Sequence, residues 1–123
     1  MESEIKKRIT MNKRDEKIEL YRKFIADNNL TVDDDLLVKV TMGLGPSIHN
    51  KNSELIACSS SSELATVRDN FLKKKLGLTL SDDELDSAIE EVCQEIGSSI
   101  KNKYRAVFYA LLVTKLKQES YYA

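Results

Sequence analysis

Residues 81–97 read SDDELDSAIEEVCQEIG. The apolar positions Leu85, Ala88, Ile89, Val92, Cys93 and Ile96 follow one another in steps of three, one, three, one and three. That is the spacing of one face of an α-helix and not the alternation of a half-buried strand. Ser81 stands three residues before Glu84, a capping box that satisfies backbone amides at a helix start, and Gly97 supplies the stop. A helix this amphipathic must lay its stripe on other elements, so the flanking sequence is read for partners.

Upstream, Ser60 with Glu63 opens a second capping box, and Leu64, Val67, Phe71, Leu72 and Leu76 carry a helix to Gly77. Downstream, a helix capped by Ser98 or Ser99 is expected from about 99 to 118. Ile100, Tyr104, Val107, Phe108, Leu111, Leu112 and Leu116 share one of its faces, and its apolar middle, AVFYALLV at 106–113, belongs at the centre of a bundle. Nearer the amino terminus, Ile18, Tyr21, Phe24 and Ile25 recur at helical spacing over 13–27. Thr31 with Asp34 predicts the cap of a helix whose stripe is Leu36, Leu37, Val40 and Leu44, ended by Gly43, Gly45 and Pro46. Between Pro46 and Ser59 no period is sustained, which predicts irregular chain with one short helical turn. The expected fold is all-α, a compact bundle of about five helices without a strand.

The chain has 123 residues, of which 41% are apolar and 32% charged, and its 19 basic and 20 acidic side chains nearly cancel. Such a chain fits one core, and its balance of charge indicates no polyanionic partner. No run approaches the eighteen or so apolar residues of a membrane span, and MESEIKKRIT at 1–10 lacks the apolar region of a signal peptide. A cytoplasmic protein without membrane contact is expected. Cys58 and Cys93 form no CxxC, so neither a disulfide framework nor a zinc site is indicated. Cys93 reads as a packing residue of its helix and Cys58 as exposed.

GPSIHNK at 45–51 and GSSIKNK at 97–103 agree at five of seven positions. Each follows a segment that opens with leucine and threonine and is rich in acid, LTVDDDLL at 30–37 and LTLSDDEL at 78–85. With about 6% identity per random position, a heptapeptide match of this quality is expected on the order of 0.1 times in such a chain. The second unit is longer by four residues, about one helical turn. The pattern predicts a weak internal repeat, a capped helix, a glycine stop and a corner, in which residues 30–51 and 78–103 superpose apart from that turn.

The blocks RDEKIELY, GLGPSIHNK, ACSS, NFLKKKLGL, GSSIKNKYRAVFY and KLKQES, spread in order from Asn12 to Ser120, make the chain resemble a family of small bacterial proteins catalogued as a domain of unknown function. The resemblance implies a compact bacterial cytoplasmic protein and carries over no substrate, cofactor or catalytic residue. Members of that family begin near NKRDEKI, so residues 1–11 are expected to be a mobile extension and residues 12–120 a single helical domain.

Candidate chemistry concentrates in the two corners. His49, beside Ser47, Asn50 and Lys51, has the side-chain type for general-base work or metal ligation, but no second histidine or spaced cysteine accompanies it. Lys101 replaces it in the second copy, which points to a surface position. The acid runs DDD at 33–35 and DDELD at 82–86 lack the spacing of a calcium loop and fit helix starts, while GLGPS is a poor phosphate cradle because proline has no amide hydrogen. No metal site and no cofactor is expected. Residues 81–96 hold seven acids and no base, whereas 97–118 hold Lys101, Lys103, Arg105, Lys115 and Lys117 and no acid. That two-sidedness, with the tail aromatics Tyr121 and Tyr122, favours a non-enzymatic module that self-associates or docks a protein. A small-molecule binder or enzyme built on Ser47, His49 and Asn50 is the first alternative. Weak nucleic-acid binding through Lys101, Lys103, Tyr104 and Arg105 is the second, disfavoured by the near-zero net charge. The candidate surface is therefore Ser47, His49, Asn50 and Lys51 with Lys101, Asn102, Lys103, Tyr104 and Arg105.

Overall fold

The computed structural model describes residues 12–122, so the expected extension at 1–11 lies outside the described residues. The order of elements is α1 (Lys13–Asp27), α2 (Asp34–Leu44), a 3₁₀ turn (Gly45–His49), α3 (Lys51–Glu54), β1 (Leu55–Ala57), α4 (Ser61–Thr66), a π-helical segment (Val67–Lys75), α5 (Asp82–Ile96), β2 (Asn102–Tyr104), α6 (Arg105–Lys115) and a 3₁₀ turn (Glu119–Tyr122). The fold is all-α apart from one small sheet. Helix α6 is its hub: every residue from Ala106 to Val113 is buried, and α1, α2 and α5 pack around it. From the side of α5, the whole stripe Leu85, Ala88, Ile89, Val92, Cys93 and Ile96 is buried as its spacing predicts.

Capping follows local chemistry with one shift. The Glu84 amide donates to Ser81 Oγ at 3.2 Å and the Glu63 amide to Ser60 Oγ at 3.3 Å. At α2, however, the Leu36 amide donates to the Asp33 carboxylate at 3.0 Å, and Asp33 rather than Thr31 is the cap. An aspartate immediately before the first helical residue places a charged acceptor at the positive end of the helix dipole.

Two expectations about elements fail together. Residues 100–104 do not extend the last helix, which begins at Arg105, and the stretch between Pro46 and Ser59 is not wholly irregular: α3 supplies the single helical turn and β1 follows. β1 and β2 pair antiparallel, with Leu55 opposite Tyr104, Ile56 opposite Lys103 and Ala57 opposite Asn102. Ile56, with no exposed surface, inserts into the core, and the two backbones satisfy each other where a longer helix would leave β1 unpaired.

The helix that opens at Ser60 also changes character. Beyond Thr66 it becomes π-helical, and the Leu76 amide bonds to the Phe71 carbonyl five residues back at 2.9 Å. Its apolar residues Val67, Phe71, Leu72 and Leu76 are four or five apart around the turn. The wider i→i+5 turn keeps them on one side, and Phe71 stacks on Tyr109 with ring centroids 3.8 Å apart.

The repeated corner is alike in part. α2 has 11 residues and α5 has 15, the expected difference of one turn. Both end on glycines with positive φ, 61° at Gly45 and 111° at Gly97. Ile48 is buried, and Ile100, partly buried, also turns onto the core. Past the glycines the conformations differ, because Pro46 fixes a 3₁₀ turn whereas Ser98–Lys101 bends into β2. Gly97, at φ 111° and ψ 140°, stands where a Cβ is strained. Gly97→Ala is expected to lower unfolding free energy by about 1–3 kcal/mol, read as a reduced midpoint in urea with an unchanged slope.

Candidate functional site

The strand pairing brings the two corners to one end of the molecule, where most of their polar groups hold backbone. Ser47 Oγ donates to the Leu44 carbonyl at 2.8 Å, Ser53 Oγ donates to the Ser47 carbonyl at 3.1 Å, and Asn50 Oδ1 accepts from the Asn52 amide at 2.9 Å. His49 and Lys51 are exposed. Arg105 spans the gap between the corners: its Nε donates to the Ser53 carbonyl at 2.5 Å and its Nη1 to the Tyr109 hydroxyl at 2.7 Å. Beneath them the Glu54 carboxylate accepts from Lys17 Nζ at 2.8 Å and from the Tyr21 hydroxyl at 3.3 Å.

The second corner divides by strand alternation. Lys103, 2% exposed, points inward opposite Ile56, while Lys101 and Asn102 are exposed. The Lys103 amine donates to the Ile100 carbonyl, and burial lowers its pKa from the ordinary lysine value. Tyr104 is half-buried, with Tyr21 and Phe24 at centroid distances of 5.1 and 5.2 Å, so its ring is part of the packing rather than a free platform for a base. Among the described residues, the Lys101 ammonium and the Asn102 amide make no hydrogen bond or ion pair.

These two side chains overlook a half-open groove of about 600 Å³ between the end of the strand pair and the last turns of α5. Ile100 and Ala57 give it apolar wall, Gln94 a further amide, and Glu90 an acid to which Gln94 donates at 3.3 Å. Ser47, His49 and Asn50 do not line it. In the groove Cys58 and Cys93 are joined by a disulfide, with Cα atoms 6.1 Å apart, contrary to the expectation of two separate thiols. The reason is tertiary. Cys93 is the residue of the α5 stripe that faces the end of β1, and the pairing of β1 with β2 delivers Cys58 to it. Cys93 is 6% exposed, as its place in the stripe predicts, whereas Cys58 is half-buried and not fully exposed.

The acids of α5 are largely compensated within the chain. Asp82 pairs with Lys73, Asp86 with Arg68 at 3.2 Å, and Glu91 and Glu95 lie 3.7 and 3.6 Å from Lys115. Tyr122 is half-buried at a second cavity between α2 and the last turn, where burial pushes its pKa up to about 12, and Tyr121 is exposed beside it. Among the described residues no cluster of His, Cys, Asp and Glu could hold a metal ion, and no helix is long and apolar enough to cross a membrane.

The chain belongs to the family described as "Protein of unknown function (DUF2853)", whose model matches residues 20–120. No curated protein matches the chain.

Because the folded chain binds the Lys103 proton less readily than the unfolded chain, the penalty of the buried charge is fully present below its lowered pKa. Stability rises with pH from there toward 10.5. Tyr21, Tyr109 and Tyr122, whose pKa values are all raised, act oppositely above pH 10. Urea titrations from pH 8 to 11 should therefore show an alkaline gain in the parent protein relative to Lys103→Met, the tyrosines cancelling in the difference. Parallel curves would contradict a depressed Lys103.

Proposed function

We propose that this member of the DUF2853 family is a non-enzymatic interaction module of the bacterial cytoplasm, which docks an extended acidic peptide segment of a partner protein in the groove beside its strand pair. One observation carries the reading: Lys101 and Asn102, whose ammonium and amide have no partner among the described residues, stand together over apolar wall. An amide at that place matches the donors and acceptors of a peptide backbone, and Lys101 meets a carboxylate of the partner. A volume of about 600 Å³ suits a few residues of extended chain.

The corner at Ser47, His49 and Asn50 supports the alternative of a catalytic or small-molecule site less well, because Ser47 and Asn50 are occupied in fixing the turn. For nucleic acid, Lys103 is buried and Arg105 is held by Ser53 and Tyr109, which leaves Lys101 as the exposed cation of the four residues.

A second reading, self-association, rests on a separate patch. Met42 is 52% and Tyr121 48% exposed, and the Tyr121 ring lies 4.9 Å from that of Tyr122, which itself approaches Gly43. Exposed apolar groups gathered at one place mark contact surfaces.

Panning a random peptide display library on the parent protein should enrich acidic peptides whose binding weakens about fivefold or more in Lys101→Glu, the size of one lost surface ion pair turned repulsive at low salt. Enrichment of peptides indifferent to Lys101→Glu and Asn102→Ala would overturn the groove as the docking site. Sedimentation equilibrium on the parent and on Tyr121→Ser tests the second reading, which requires a dimer that the substitution weakens.

A further inference from the structure

We infer that the Cys58–Cys93 bond is a site of thiol–disulfide exchange with a small anionic thiol, which the groove receives through Lys101 and Asn102. This goes beyond peptide docking, with which it shares the groove and its residues Lys101 and Asn102, and it stands or falls on the chemistry of the disulfide.

Access selects the sulfur. Cys93 is 6% exposed in the buried stripe of α5, and Cys58 is half-buried at the groove, so an attacking thiolate reaches Cys58 first. Charge selects the thiol. Cys58 and Lys101 both line the groove, and the Lys101 ammonium is unpaired among the described residues. A cation in the lining attracts an anionic attacker. Lys103 lies in the same lining, opposed by the single carboxylate of Glu90, which Gln94 already engages. The space, about 600 Å³, admits a molecule of tripeptide size.

The exchange balances without a further reagent. A thiolate RS⁻ attacks Cys58 Sγ, and a bond forms between R–S and Cys58 as the Cys58–Cys93 bond breaks. The electron pair leaves on Cys93 Sγ, which takes a proton from water. A second RS⁻ attacks the outer sulfur of the mixed disulfide and releases RSSR and the Cys58 thiolate. Two thiols are thus oxidised for each protein disulfide reduced.

The test compares glutathione, an anionic tripeptide thiol, with neutral 2-mercaptoethanol on the oxidised full-length chain, quenched in acid and read by intact mass and peptide mapping. The expected result is a mixed disulfide on Cys58, forming with glutathione about fivefold more slowly in Lys101→Glu at low salt and with 2-mercaptoethanol at an unchanged rate. Lys101→Gln, which removes the charge without reversing it, should fall between. If the chain is isolated with free thiols, glutathione disulfide is the probe and the same Cys58 adduct is expected. The inference is overturned by modification at Cys93, by equal slowing with both thiols, by a folded protein that resists both, or by reduction with a protein dithiol alone.

Discussion

The antiparallel pairing of Leu55–Ala57 with Asn102–Tyr104 is the constraint from which the site follows. Strands of three residues are too short to hold by their own ladder, so the pairing depends on anchors around it. Ile56 is wholly buried, the Ala57 amide donates to the Glu63 carboxylate at 2.8 Å, Arg105 fastens the Ser53 carbonyl, and Tyr104 packs against Tyr21 and Phe24. Once the register is set, alternation does the rest. Lys103 is driven inward while Asn102 is left to solvent, and the chain beyond the strand ends brings Cys58 and Lys101 into the lining of one groove.

The remainder of the fold supplies a backing for that strand pair. α6 is buried along its middle and presents different faces to α2, α5 and α1. The π-helical segment serves the same hub, because its wider turn lets Phe71 stack on Tyr109 while Val67 and Leu72 remain buried. Tyr109 in turn accepts from Arg105, so the packing of Phe71 and the fastening of the strand pair share one side chain. With the ion pairs from α5 to Arg68, Lys73 and Lys115, the acid-rich helix is tied to the elements on either side of it.

What could be read in the sequence is what local physics determines. Capping serines and a stripe in steps of three and one place α5 almost to the residue, and the apolar run at 106–113 identifies the central helix. The strands escape because three residues sustain no period, and Ile100 and Tyr104 happen to continue the helical spacing of α6. The π-helix leaves no clear trace, since the steps of four, one and four from Val67 to Leu76 also fit an ordinary helical stripe. The site was half legible. Lys101, Asn102 and Lys103 lie in the repeated heptapeptide, but His49 of the other copy does not line the groove, and the cysteines, 35 residues apart, are joined only by a pairing invisible to either local sequence.

The strand pair carries unfavourable features that its short ladder cannot offset: a buried amine without a carboxylate partner among the described residues, and a conformation suited to glycine ahead of β2. A covalent link across a separation of 35 residues removes unfolded-state entropy worth about 3–4 kcal/mol in the chain-entropy picture, against about 5–15 kcal/mol for a whole domain. The link lies at the end of β1, where the strand would otherwise fray first. Breaking it therefore acts on the strand pair before it acts on the bundle, whose helices keep α6 as their common partner. The same register positions Asn102 at the groove that the two cysteines line, so the covalent link and the shape of the groove depend on one short ladder.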